Sequence, residues 1–271
     1  MRQIMYDLTY KKAKSCDAAR ELLAAADDGK LLAGGMTLVP TLKQRLAAPD
    51  MLVDLDGVDD FKTIMLCDNN LQIGAMATHA AVADSELVHT HLPGVAALAG
   101  QIGDPHVRNR GTVGGSVANN DPAACYPAAL LATNARIHTD QQIFAAKDFF
   151  VGMFETALDT NEIITAIHIP IDQKCAYVKC PNPASRYALA GVCVARRHDG
   201  NVQVAVTGAG QDGVFRADEI EAVLAENFAP DALDAMSIDP DLLLSDMHAN
   251  AEFRAHLVVQ MAKQAVAKLQ D

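Results

Sequence analysis

Two double-glycine segments are the residues of this chain best suited to chemistry. The first is Ala33-Gly34-Gly35-Met36-Thr37-Leu38, which follows the apolar pair Leu31-Leu32 and precedes a stretch of helical composition. Paired glycines accept positive φ, so successive backbone N–H groups can turn toward one point. Such a nest beside a helix N-terminus suits a phosphate. The second segment runs from Gly103 to Ser116 and reads Gly-Asp-Pro-His-Val-Arg-Asn-Arg-Gly-Thr-Val-Gly-Gly-Ser. Thr112 and Ser116 flank its glycine pair, and Arg108 and Arg110 stand just upstream. Each charge-assisted hydrogen bond to a diphosphate gives roughly 1.5–3 kcal/mol, and two nests would supply several. The plain alternatives are a tight turn for the first segment and structural ion pairs for the two arginines.

Other chemistries find little support. Gly208-Ala209-Gly210-Gln211-Asp212-Gly213 matches GxGxxG after an apolar strand. A nicotinamide-binding crossover needs a helix opening on the third glycine and further βα units. The sequence after Gly213 offers no further buried parallel strand, so a turn between a strand and a helix is the better reading. There is no GxSxG and no HExxH, and the histidines are scattered, with His79, His89 and His91 in or beside one helical stretch. Cysteines stand at 16, 67, 125, 175, 180 and 193 with no CxxC, which argues against zinc and for a reducing, cytoplasmic compartment. No residue is assigned as catalytic or as a metal ligand.

These segments need a scaffold. A helix over Ala18–Ala26, with Asp17 as its N-cap, a strand over Leu31–Ala33, a helix over 37–46 and a strand over 51–55 make the first unit, residues 1–57. Strands over 63–66 and 71–75 pair around Asp68-Asn69-Asn70. Helices follow over 78–85, 93–102 and 127–133, and strands over 136–139 and 162–169; this is the second unit, 58–172. The stretch Pro170–Pro183 holds three prolines and marks the boundary. Beyond it, residues 173–271 begin with antiparallel strands 188–197 and 201–207 joined at Asp199-Gly200 and end in alanine-rich helix from Ala217 to Leu269.

Composition sets the frame. The 271 residues are 50% hydrophobic and 21% charged, which excludes a disordered chain. The net charge of −12 argues against binding nucleic acid or an anionic membrane surface. No apolar run reaches the roughly 18 residues of a membrane helix, and the first sixteen residues hold no secretory leader.

The two glycine segments also carry a family resemblance. AGGMTLVPTLKQRLAAPDMLVDL resembles the first flavin-binding segment of the FAD-binding medium subunits of molybdenum hydroxylases, the family of carbon monoxide and xanthine dehydrogenases. GDPHVRNRGTVGGSVANNDPAACYPAALLA resembles the second. Leu158–Pro170 and Tyr177–Tyr187 are similar to two further family segments, so the resemblance spans nearly the whole chain. It implies an α+β fold: a vanillyl-alcohol-oxidase (PCMH) type FAD-binding domain in two subdomains, then a C-terminal domain of antiparallel sheet with helices. It implies non-covalent FAD. Ala33, Gly34, Gly35, Met36, Thr37 and Leu38 would wrap the pyrophosphate through backbone N–H groups, as would Thr112, Val113, Gly114, Gly115 and Ser116, with Leu32 and Gly111 also among the cofactor-binding residues. Ile102, Gly103, Asp104 and Val107 would lie along the cofactor. Leu158 would pack on the isoalloxazine, Lys179 would sit near its polar edge and Tyr187 near the ring.

Two positions depart from the family pattern. Met36 replaces a small or polar residue, a change that spares its backbone donor. Cys125 replaces an aspartate that commonly contacts the ribose or pyrophosphate region; a thiol is a weak hydrogen-bonding group, and Asp121 stands close enough in sequence to compensate. The resemblance further implies partners: an iron–sulfur small subunit, a molybdopterin large subunit, and an external acceptor that is NAD, a quinone or oxygen. The chain has no cysteine pattern for clusters of its own, and no inserted cysteine loop. The competing readings are an assembly subunit that has lost flavin, and a free-standing NAD-linked dehydrogenase.

Overall fold

The structure is a computed structural model that describes residues 6–270. Met1 to Met5, where the reading for a leader began, and Asp271 lie outside the described residues. Four sheets, of three, five, four and two strands, organise the described residues.

The first sheet is parallel. Met51–Asp54 runs at its centre between Thr9–Lys12 and Gly29–Leu32, and the helices Cys16–Ala24 and Leu38–Lys43 make the connections. Val53 and Leu55 pack with Ala19 and Leu23 into a small core. Ser15, not Asp17, caps the first helix: its backbone is extended and its hydroxyl accepts the Ala18 N–H. Asp17 lies in the first turn and pairs with Arg20 at 3.0 Å. The second helix ends well before Leu46, where Arg45 turns to φ +60°. Strand Thr9–Lys12 has four exposed residues and so left no alternation to read.

The second sheet is antiparallel, in the order Ile64–Cys67, Asn70–Gly74, Ile164–Pro170, Arg136–Thr139, Ile143–Ala145. The hairpin expected at Asp68-Asn69 is present, with both residues at positive φ. Against one face of this sheet pack His79–Asp84, Glu86–His91, Pro93–Gly100, Val113–Asn119 and Cys125–Ala132. The last helix starts two residues earlier than expected and is buried along its whole length. Pro127 sits in its first turn, where a missing N–H costs little.

The third sheet runs Gln173–Pro181, Ala188–Arg197, Val202–Gly210, Gly213–Arg216, each antiparallel to the next. Cys175 and Tyr177 point into the core beneath Pro93–Gly100 and Cys125–Ala132, while Ala176 and Val178 point into a second core under the terminal helix Ala251–Gln270. Both faces are covered, so the proline-rich stretch read as a boundary holds a buried nine-residue strand. Two expectations fail here. Gly208–Gly213 is a tight hairpin between two strands, not a strand-to-helix turn; Gly208 has φ +78°, and a Cβ there would come within 2.4 Å of the Ala188 carbonyl. The chain after Ala217 is helical only at Asp218–Glu226 and Ala251–Gln270, because Pro230 and Pro240 begin short 3₁₀ turns in the irregular chain between. No helix among the described residues is long and apolar enough to cross a membrane.

Candidate cofactor site

A cavity of about 790 Å³ opens where the first sheet, the second sheet and the start of the third sheet meet. That size lies within the range of small-molecule and cofactor sites. Loop 33–38 forms one wall. Gly35 has φ +72°, the backbone that glycine adopts without strain. A Cβ on Gly34 would lie 2.1 Å from the Arg110 carbonyl, so the two glycine segments touch backbone to backbone. Among the described residues, the amides of Gly34 through Leu38 find no backbone acceptor; the first to do so is Val39, onto Gly35 at 3.0 Å. The loop therefore offers a row of unspent donors, as its glycines suggest.

The opposite wall is built differently from the expectation. Gly114 and Gly115 belong to the first turns of helix Val113–Asn119 instead of a second nest. Their donors are already used: Val113 N–H reaches Ala77, Gly114 reaches Ala75, Gly115 reaches the Thr112 hydroxyl and Ser116 reaches the Thr112 carbonyl. This wall contributes close approach at Gly115 and the Ser116 hydroxyl, which makes no hydrogen bond among the described residues. Arg108 and Arg110 line no part of the cavity and form no ion pair among the described residues; Arg108 donates to the carbonyls of Ile102 and Gly103 and holds the turn there.

Of the residues selected from sequence, Leu32, Asp104 and Val113 also fall outside the cavity wall. Leu32 ends its strand, Val113 is buried behind the wall, and Asp104 caps the short helix Pro105–Arg108 by accepting the Val107 amide at 2.9 Å. The others are brought together: the remaining members of loop 33–38, Ile102, Gly103 and Val107, Gly111, Thr112 and Gly114 to Ser116, then Asp121, Cys125, Leu158, Lys179 and Tyr187. Sequence reasoning missed several wall residues, including His79, Phe154, Glu162 and Arg186.

The charged residues on the cavity wall are Lys30, Asp121, Glu162, Lys179 and Arg186. Lys179 is buried; its ammonium donates to the carbonyls of Arg186 at 2.8 Å and Gln101 at 3.0 Å and to the Cys125 sulfur at 3.4 Å. Loop 182–187 is shaped by Asn182, whose carboxamide accepts the amides of Ala184 and Ser185. Burial raises the Asp121 carboxyl above its usual range, against the lowering effect of the Ala123 amide. Glu162 accepts from Thr139, from the Asp159 amide and from Gln142.

His79 is 4% exposed, and its Nδ1 has no partner among the described residues. Burial first, and the Arg108 charge second, push its pKa down from 6.5 to about 4. The folded chain thus holds it neutral. Its contribution to stability is complete above pH 6.5 and is lost as pH falls from 6.5 toward 4, because the unfolded chain takes up the proton first. We expect unfolding free energy in urea to fall by about 2–3 kcal/mol between pH 7 and 4.5 from this group. The His79→Gln variant should show a correspondingly flatter profile; equal slopes in the two proteins would refute the assignment.

Residues 5–172 match the family described as the FAD binding domain in molybdopterin dehydrogenase. The chain belongs to that family. Its relatives extend the likeness over the rest of the chain. The medium subunit of nicotine 6-hydroxylase from Paenarthrobacter nicotinovorans is 32% identical over 96% of each protein. The xanthine dehydrogenase FAD-binding subunit of Escherichia coli O157:H7 is 27% identical over 97% of each. A chain of reconstituted CO dehydrogenase from Oligotropha carboxidovorans superimposes with a TM-score of 0.88 at 31% identity, covering 98% of both chains. The protein is therefore an FAD-binding oxidoreductase subunit with the mixed α+β fold of the CO dehydrogenase medium subunit. Its own residues fit the cofactor: unspent amides and a positive-φ glycine stand where an anion needs donors, and the cavity continues to an ammonium and an aromatic edge.

Proposed function

We propose that the chain is the electron-transfer subunit of a molybdenum hydroxylase complex. It would stand between an iron–sulfur small subunit and an external acceptor of the NAD, quinone or oxygen class, with substrate converted on a molybdopterin large subunit. The observation that carries this reading is the single long cavity joining loop 33–38 to Lys179 and Tyr187, in a chain of this family. Bound there, FAD supplies a carrier able to exchange electrons singly or in pairs.

The chain's own part is to bind, orient and shield. Loop 33–38 would hold the pyrophosphate through its amides, with the hydroxyls of Thr37 and Ser116 as further donors. Gly115 would let the cofactor lie close to the helix. Leu158, Ile102 and Val107 would supply apolar walls, and Tyr187 an aromatic edge. Asp121, on the cavity wall, would accept from a ribose or ribityl hydroxyl. Nothing among these groups needs to act as a general acid or base.

Titrating the flavin-stripped chain with FAD, followed by flavin fluorescence, tests the reading, with FMN as control. Saturable binding of FAD and much weaker binding of FMN are expected, since FMN lacks the diphosphate and adenosine. Failure to bind FAD, both alone and when co-purified with its partner subunits, would favour the flavin-free assembly subunit.

A further inference from the structure

The Lys179 site is unusual in its charge balance. Three acceptors surround Nζ, the number an ammonium can satisfy, and none is a carboxylate. No ion pair to Lys179 exists among the described residues. The two carboxylates on the cavity wall are engaged elsewhere: Glu162 with Thr139, Gln142 and the Asp159 amide, and Asp121 with the Ala123 amide. Burying a cation without an opposite charge is costly, and the polar carbonyls offset only part of that cost. Strand Gln173–Pro181 fixes the side chain. Residues alternate across it, so Lys179 follows Cys175 and Tyr177 toward the cavity face, and Cys125 at the start of its helix meets it there.

We propose that Lys179, left without a carboxylate by the thiol at Cys125, raises the reduction potential of the bound cofactor. This rests on the cavity being the FAD site. Reduction adds electron density to the cofactor, and a fixed, buried positive charge favours the electron-rich form over the oxidised one. A carboxylate at position 125, in contact with Nζ, would cancel that charge at its source. The chain's sulfur thus stands in place of a carboxylate: it accepts a hydrogen bond from the ammonium at 3.4 Å and brings no acidic oxygen beside it.

The test is the midpoint potential of the FAD-loaded chain, measured spectrophotometrically against a reference dye. Cys125→Asp and Lys179→Gln should each favour the oxidised form at least tenfold, a shift of about 30 mV downward for a two-electron couple. Cys125→Ser, which keeps a neutral acceptor, should leave the potential in place. An unchanged potential in Cys125→Asp with FAD bound would overturn the proposal. So would a rise in Cys125→Ser as large as the fall in Lys179→Gln, since the sulfur would then be the counter-ion. If neither charged-pair variant retains FAD, the pair builds the site and does not tune it, which also overturns the proposal. Loss of FAD binding in the parent chain would instead refute the cofactor site itself, so the two failures are distinguishable.

Discussion

FAD should bind the Gly115→Asp variant at least tenfold more weakly than the parent chain, a loss of about 1.4 kcal/mol or more. The expectation follows from where Gly115 stands. It lies in the first turns of helix Val113–Asn119, with an ordinary helical backbone, so an aspartate meets no φ penalty. An ideal Cβ there would come within 2.9 Å of the Thr112 hydroxyl, so this capping side chain must give way slightly, and 3.5 Å from Ala33, which directs the side chain toward the loop of unspent amides. An acidic residue near a helix N-terminus is itself mildly favourable to the helix. The fold should therefore survive, while a carboxylate enters the space assigned to the diphosphate and competes for the amides of loop 33–38. Gly35→Asp acts on the same anion from the other wall. There the substitution also meets φ +72° and the side chains of Leu32 and Val39 at 3.0 Å, so affinity and stability fall together. Affinity measured by fluorescence titration, with urea unfolding in parallel, separates the two variants. A Gly115→Asp chain that folds and binds FAD as well as the parent would remove this wall from the site.

How much of this was legible in the sequence depends on the kind of signal. Elements with a strong local cue were read within a few residues: the hairpin at Asp68-Asn69, the strands Arg136–Thr139 and Ala188–Arg197, and the glycine loop after Leu32. The strand Gln173–Pro181 was obscured by prolines that mark its ends, and because the sheet is covered on both faces its apolar run lacks alternation. The alanine-rich tail read as continuous helix because propensity outweighed the breaks at Pro230 and Pro240.

The cavity was legible in part for a different reason. Loop 33–38 and the Gly111–Ser116 segment announce themselves through composition, but Cys125, Leu158, Lys179 and Tyr187 converge only through tertiary structure, and it took the family resemblance to connect them. Charge was a poor guide in one place: for Arg108 and Arg110 the sequence leaves open anion ligands and structural ion pairs, yet Arg108 is consumed by the carbonyls of Ile102 and Gly103. His79 was hidden because one histidine in a helical stretch shows nothing of its burial; the close packing of Gly111, whose Cβ would come within 2.6 Å of its Nε2, is a three-dimensional fact. The second glycine pair serves the fold as much as the ligand, since a Cβ on Gly114 would strike Ala75 at 2.6 Å.

The Arg254→Met variant should lose about 3 kcal/mol of stability while leaving the cavity wall in place. Arg254 is 2% exposed on the terminal helix Ala251–Gln270. Its guanidinium donates to the backbone carbonyls of Leu189 and Gly208, on neighbouring strands of the third sheet, and pairs with Asp246 at 2.8 Å. Methionine matches much of the apolar stem but donates nothing, so two buried carbonyls lose their partner at roughly 1–3 kcal/mol each. Asp246 is about one-third exposed and keeps the amides of His248 and Ala249, so its lost ion pair adds less than about 1 kcal/mol. The two carbonyls together give roughly 2–6 kcal/mol, and burying a wholly apolar side chain recovers part of it, which leaves an expected loss of about 3 kcal/mol. The arginine sits on the terminal helix, and none of its hydrogen-bond partners, Leu189, Gly208 and Asp246, belongs to the cavity wall. Urea unfolding should therefore move before cofactor affinity does: at low denaturant the variant should bind FAD within a few-fold of the parent, with its midpoint shifted to lower urea. A stability loss under 1 kcal/mol would mean that the helix is held by its apolar face alone, through Val258, Ala262 and Val266 against the sheet.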